Sequence, residues 1–220
     1  MPVIMQEPPA ATVAALDQAL TRFTAETVRP AEAAEAAPAV SVRPTIVARS
    51  PVIASGIRAW TGRAVAAARP PAAPVVVMGL DELAEGKSPR AAKAVMWAQF
   101  LDGSTDAPVI ADVEAGTNRF LAVSEGPAIA AMRRNITDVL AKEGTEPAAR
   151  ELSMIRVPAL HLSAVWLKGQ AGEADDIVIP NPGPIAPLEA GKRYSLAEFQ
   201  RITRDMAADR LRQAGPETGG

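Results

Sequence analysis

His161 is the only histidine in the chain, and it stands in Leu160-His161-Leu162-Ser163. In a strand, residues two apart share a face, so His161 and Ser163 would sit side by side. A serine next to a histidine is the start of a nucleophilic triad, in which imidazole takes the hydroxyl proton and a carboxylate orients the ring. Asp112 and Asp175 are the acids that could complete such a set. Asp112 and Glu114 share one face of an expected hairpin, and Asp175 and Asp176 precede an expected strand. Either carboxylate pair could also move protons or hold Mg²⁺. The chemistry has obstacles. Neighbouring positions on one strand seldom give serine and histidine the required geometry, no serine lies in a G-x-S-x-G elbow, and no spacing joins the two acid pairs. The plainer expectation makes His161 a partly buried histidine bonded to a backbone or hydroxyl group. It makes Asp112 and Glu114 the solvated side of the hairpin, and Asp175 and Asp176 loop and strand-start residues.

Other chemistries are excluded outright. The chain has no cysteine, which removes disulfides, thiolate metal sites, iron–sulfur clusters and cysteine nucleophiles. An imidazole metal site would lack a second histidine. Glycine-rich dinucleotide and Walker-type phosphate loops are absent from the sequence. The sequence therefore nominates no cofactor-binding residue, no cofactor and no metal ligand. Its catalytic candidates reduce to His161, Asp112 and Asp175, and the balance leans away from an enzyme.

The charge pattern is more informative. From residue 36 to residue 80 there is no acidic residue, and Arg43, Arg49, Arg58, Arg63 and Arg69 give the stretch a charge of +5. With a net charge of −2, the rest of the chain carries −7. Ser50-Pro51 is a good helix start, after which Ile53, Ile57 and Trp60 line one face, with Arg58 and Arg63 nearby. A second stripe, Val13, Leu16, Leu20 and Phe23, recurs at helical spacing within residues 10–27. A helix that short is marginal alone, so it must dock on the domain or on a partner. These residues are the interaction candidates. Five arginines with one aromatic fall short of a nucleic-acid-binding signature.

The elements that would position these groups divide the chain. Half of its 20 prolines fall in the first 74 residues, so residues 1–72 read as a Pro/Ala-rich N-terminal arm with one or two amphipathic helices. Residues 73–214 read as one α+β domain and residues 215–220 as a flexible tail. The expected fold is a small, mainly antiparallel sheet packed by about three helices. Its strands are placed at about 74–79, 108–114, 119–124, 159–167 and 176–180, and its helices at about 89–101, 127–142 and 195–212. Ser195 and Glu198 form a capping box, flanked by Tyr194 and Phe199 at the hydrophobic-staple positions. The apolar run from Glu151 to Lys168 reads as one central strand, with pairing interrupted at Pro158.

No apolar run reaches the length of a bilayer span, and Met1–Ala11 lacks a basic region followed by a long apolar one. The expected location is cytoplasmic. The excess of arginine over lysine, with abundant alanine, proline and glycine, suggests a GC-rich bacterial genome. The leading functional expectation is a non-catalytic interaction or assembly protein in a bacterial multi-protein complex, which contacts another protein or itself through the arm. One alternative is a small hydrolase or ligand-binding enzyme using His161 with nearby carboxylates. Another is a peripheral membrane or nucleic-acid adaptor using Arg43 to Arg69.

Overall fold

Ala-Ala-Pro-Val-Val-Val is apolar on both faces and β-branched at its end, which suits a strand covered on both sides. It forms β1 (Ala72–Val77), near the middle of the sheet. The computed structural model describes residues 4, 6–15, 18, 72–100, 109–143, 149–183 and 186–214. After β1 come α1 (Leu80–Ala84), β2 (Met96–Phe100), β3 (Val109–Glu114), β4 (Phe120–Glu125) and α2 (Pro127–Glu143). Then follow β5 (Arg150–Val157), β6 (Leu162–Gly169), β7 (Ile177–Pro180), β8 (Tyr194–Ser195) and α3 (Leu196–Ala214).

The strands form one eight-stranded sheet in the order β4-β3-β2-β1-β5-β6-β7-β8. Each half is an antiparallel meander, and the two halves meet at a parallel pair, β1 with β5. Parallel neighbours need a long crossover, and α2 lies on the connection between the halves. The sheet is thus large, not the small one expected. All five expected strands are present, and three further ones, β2, β5 and the short β8, were absent from the expectation or merged into another strand.

Two differences have clear physical causes. The helix expected over 89–101 is a single 3₁₀ turn, Pro89–Ala91, followed by strand β2. Ser88 does cap the turn, accepting from the Arg90 amide at 3.2 Å. Beyond it, β2 finds two antiparallel neighbours, and this pairing outweighs the local helical spacing. The single strand expected around 159–167 belongs to a hairpin. Pro158 opens a 3₁₀ turn ending at His161, which separates β5 from β6. Folding the run back also regroups its faces. Ile155 and Val157 share a core with Leu162, Ala164 and Trp166, whereas Val165 and Leu167 join Leu152 and Met154.

Two cores result, one on each face of the sheet. Met132, Ile136 and Val139 of α2 pack on Val75, Ala98, Phe100, Ile110, Met154 and Val165. Leu83 of α1 and Leu196, Phe199 and Ala207 of α3 pack on Val76, Ile155, Ala164, Trp166 and Val178. The serine half of the expected capping box of α3 is present, because Ser195 Oγ accepts from the Glu198 amide at 3.2 Å, and the staple residues Tyr194 and Phe199 are both buried.

β1 and β5 are not paired along their whole length. The Val75 carbonyl accepts from Val95 on the β2 side, so the alternate residue, Pro74, turns its nitrogen toward β5. That nitrogen carries no proton. The registered pairs of β1 with β5 accordingly run only from Val75–Met154 to Val77–Arg156. Continued three residues back, this register would place Ala72 opposite Glu151, and Ile4 stands there instead. Ile4 donates to the Arg150 carbonyl at 2.7 Å and accepts from the Leu152 amide at 3.1 Å.

Residues 10–15 are helical, with Thr12 buried and Val13 half-buried. The remaining interaction candidates, Leu16, Leu20, Phe23, Ile53, Ile57, Arg58, Trp60 and Arg63, lie outside the described residues. No helix among the described residues is long and apolar enough to cross a membrane.

Candidate functional site

The three catalytic candidates occupy different parts of the fold. His161 is exposed at the end of the β5–β6 turn, in the left-handed region with φ 50° and ψ 30°. It is therefore not a strand residue, and the expected shared strand face with Ser163 does not form. Ser163 lies in β6 and accepts from Asn181 Nδ2 at 3.1 Å. Asp175 is exposed in a 3₁₀ turn, Glu173–Asp175, ahead of β7.

Asp112 is buried and does not lie on a solvated hairpin face. Strand alternation and the β2–β3 register put it on the α2 side of the sheet with Ala98 and Ile110. Arg156 of β5 has the same parity as Leu152 and Met154 and reaches it across the sheet. The guanidinium makes a two-pronged pair, Nη1 to Oδ2 at 2.6 Å and Nη2 to Oδ1 at 2.9 Å. Nη1 also lies 3.5 Å from the Met96 sulfur. Both carboxylate oxygens are thus engaged by one planar cation, the geometry that best repays the desolvation of both groups. A polar chain continues on the same side. Arg156 is registered opposite Ser163, Asn181 donates to Ser163, and Asn135 of α2 donates to Asn181 Oδ1 at 2.9 Å. Asn181 is buried. The row ties α2 and three strands together at the end of the sheet where β5 finishes.

A second cluster is centred on Asp176, whose side chain is fully buried. It accepts from Arg90 Nε at 2.8 Å, Arg90 Nη2 at 2.6 Å, Trp166 Nε1 at 3.0 Å and the Gly169 amide at 2.8 Å. Arg90 Nη2 also donates to the Gly169 carbonyl at 2.7 Å. The bond to Asp176 is the main reason that the Arg90 guanidinium is held above its usual pKa, against the lowering effect of burial. Gly169 allows this closeness, because a Cβ there would overlap the Cβ of Asp175. Ser88 adds a hydroxyl bond to Glu173 beside the same turn. Four donors on one carboxylate make a clasp between the 3₁₀ turn after α1 and the β6–β7 hairpin.

Glu114 lies at the β3–β4 turn, bonded by the Thr117 hydroxyl and paired with Arg119 at 3.2 Å. The Thr117 hydrogen bond, helped by Arg119, lowers its pKa below the usual glutamate value. Among the described residues, no group of three or more His, Asp or Glu side chains is placed to hold a metal ion.

Arg156, Arg90 and Asn181 were not singled out from sequence. Arg156 did leave a signal: a lone charge inside Met154-Ile155-Arg156-Val157 needs a buried partner. Arg90 and Asn181 gave none, since both stand in turn-like sequence.

The N-terminal residues contribute a further long-range polar contact. Thr12 donates its hydroxyl to Asn118 Oδ1 at 2.6 Å, at the β3–β4 turn. With the Ile4 bridge, this attaches the N-terminal residues to the sheet and to the β3–β4 turn at two separated places. Compared with known proteins, the chain matched no family model, no curated protein and no solved structure.

Proposed function

We propose that this protein is a non-catalytic interaction or assembly protein of a bacterial multi-protein complex in the cytoplasm. The sheet domain is the body, and the N-terminal region carries the docking segment. The observation that supports this reading most is the anchoring of the arm. Ile4 is bonded to β5, Thr12 is bonded to the β3–β4 turn, and the chain re-enters the sheet at Ala72. The stretch holding Arg43, Arg49, Arg58, Arg63 and Arg69 lies between these two attachments. It joins a domain of opposite net charge and presents cations suited to an acidic protein surface. The buried acids Asp112 and Asp176 are each occupied by an arginine, which suits a scaffold better than a proton-transfer site.

The test compares the full chain with a variant in which all five arginines are changed to glutamate. Both are used to capture proteins from the native lysate, and their self-association is measured by light scattering. A partner or self-association present in the wild type and lost in an equally stable variant supports the docking segment. Identical behaviour of the two chains removes it.

A further inference from the structure

We infer that the segment from Ile4 to Ala15 is a latch that opens without unfolding the domain, and that Pro74 creates the gap it closes. The gap has a cause in sequence. Pro74 directs a donor-less nitrogen at β5, so β1 does not continue its ladder below Val75. The Leu152 amide and the Arg150 carbonyl, which the same register would offer to Ala72, are instead satisfied by Ile4. Buried backbone groups demand such partners, so the vacancy left by proline selects for an incoming strand residue.

The bond is a backbone one. Ile4 is 45% exposed, so it adds little burial to hold the segment. Eight residues further on, Thr12 is buried and bonded to Asn118. In sheet order β1 and β2 lie between the two attachment points, so the segment spans them. A strap held by few bonds and one exposed side chain belongs to the part of a protein that opens locally, well before the packed strands separate. Closed, the latch holds the chain between Ala15 and Ala72 at both ends. Open, it releases Ile4 from β5 and Thr12 from the β3–β4 turn.

The latch is observable in the free full-length protein, so the test does not depend on any partner. The Leu152 amide reports the Ile4 bond, and the amides of Met154 and Arg156 report the neighbouring stretch registered with β1. Hydrogen exchange is measured residue by residue in the wild type, Ile4→Pro and Ile4→Ala. Proline removes the donor to Arg150, whereas alanine keeps it. The expected result is that Ile4→Pro speeds Leu152 exchange at least about tenfold, with Met154 and Arg156 unchanged and Ile4→Ala close to wild type. Unchanged Leu152 exchange in Ile4→Pro overturns the latch. So does an equal acceleration at all three amides, because the segment would then be part of the cooperative domain.

The role of Pro74 has its own control. Pro74→Val restores a donor facing β5 and allows β1 to continue toward Ala72. In that background the effect of Ile4→Pro on Leu152 should shrink to less than about threefold. An undiminished effect overturns the assignment of the gap to Pro74.

Discussion

Trp166 donates its indole N–H to the same Asp176 oxygen that receives Arg90 Nε, so one buried carboxylate joins a core aromatic to a turn nearly eighty residues earlier. Removing the carboxylate strands the Trp166 and Gly169 donors and leaves the Arg90 guanidinium without its counter-charge. Breaking a buried pair in this way costs about 3–5 kcal/mol. Asp176→Ala should therefore lower the urea midpoint by a corresponding amount, whereas Trp166→Phe, which removes a single donor, should cost about 1 kcal/mol from the lost bond. If Asp176→Ala unfolds at the wild-type midpoint, the carboxylate is not the clasp described.

Arg156 and Asp112 allow a sharper separation of structure from chemistry. Asp112→Leu alone leaves an uncompensated, mostly buried guanidinium, and it should destabilise by about 3 kcal/mol. Arg156→Met with Asp112→Leu replaces the pair by apolar groups among apolar neighbours and should recover most of that loss. A urea-denaturation double-mutant cycle reads the coupling directly. Arg156→Lys should not substitute well, because an ammonium cannot occupy both carboxylate oxygens in the plane that the guanidinium uses. A double variant as unstable as Asp112→Leu would show that the pair does more than satisfy itself.

These pairs also show what sequence could and could not reveal. The two long helices, the β3–β4 hairpin and the Ser195–Glu198 cap were legible, because each rests on local spacing and turn chemistry. β2 was not legible, since Met96 to Phe100 gains its strand character from β1 and β3 rather than from its own pattern. The Glu151–Lys168 run is apolar on both faces, as its sequence implies, but Pro158 marks a reversal and not merely a break in pairing. Asp112 stands out in the sequence and its partner does not. Arg156 lies 44 positions away, and only strand order brings the two together. The Ile4 bridge was equally hidden, because its cause is a missing donor at Pro74.

Glu114 gives the pH-dependent prediction. Its folded pKa is lowered by the Thr117 hydroxyl and Arg119, so the folded state prefers the ionised form. The resulting stabilisation is fully present above the ordinary glutamate pKa and is lost as pH falls through the lowered folded value. A carboxyl-resonance titration should place Glu114 below the ordinary glutamate value, and Thr117→Val should move it back toward that value. Glu114→Gln should remove this contribution to the acid dependence of β3–β4 turn stability. A Glu114 titration at the ordinary glutamate value would contradict the assignment.

His161 supplies the last and most discriminating substitution. Its backbone is left-handed, a conformation that costs a non-glycine residue about 1 kcal/mol or more and glycine very little. Its side chain is exposed at a turn and makes no side-chain hydrogen bond among the described residues. His161→Gly should therefore leave stability unchanged or raise it by up to about 1 kcal/mol, the relief of strain being offset in part by the greater freedom of glycine in the unfolded chain. His161→Ala keeps the Cβ and the strain, and should be no more stable than wild type. Thermal melts of the three chains separate these outcomes. A marked loss of stability in His161→Gly would mean that the imidazole holds a contact the turn requires. A stable His161→Gly that loses binding or turnover would return the residue to the functional candidates.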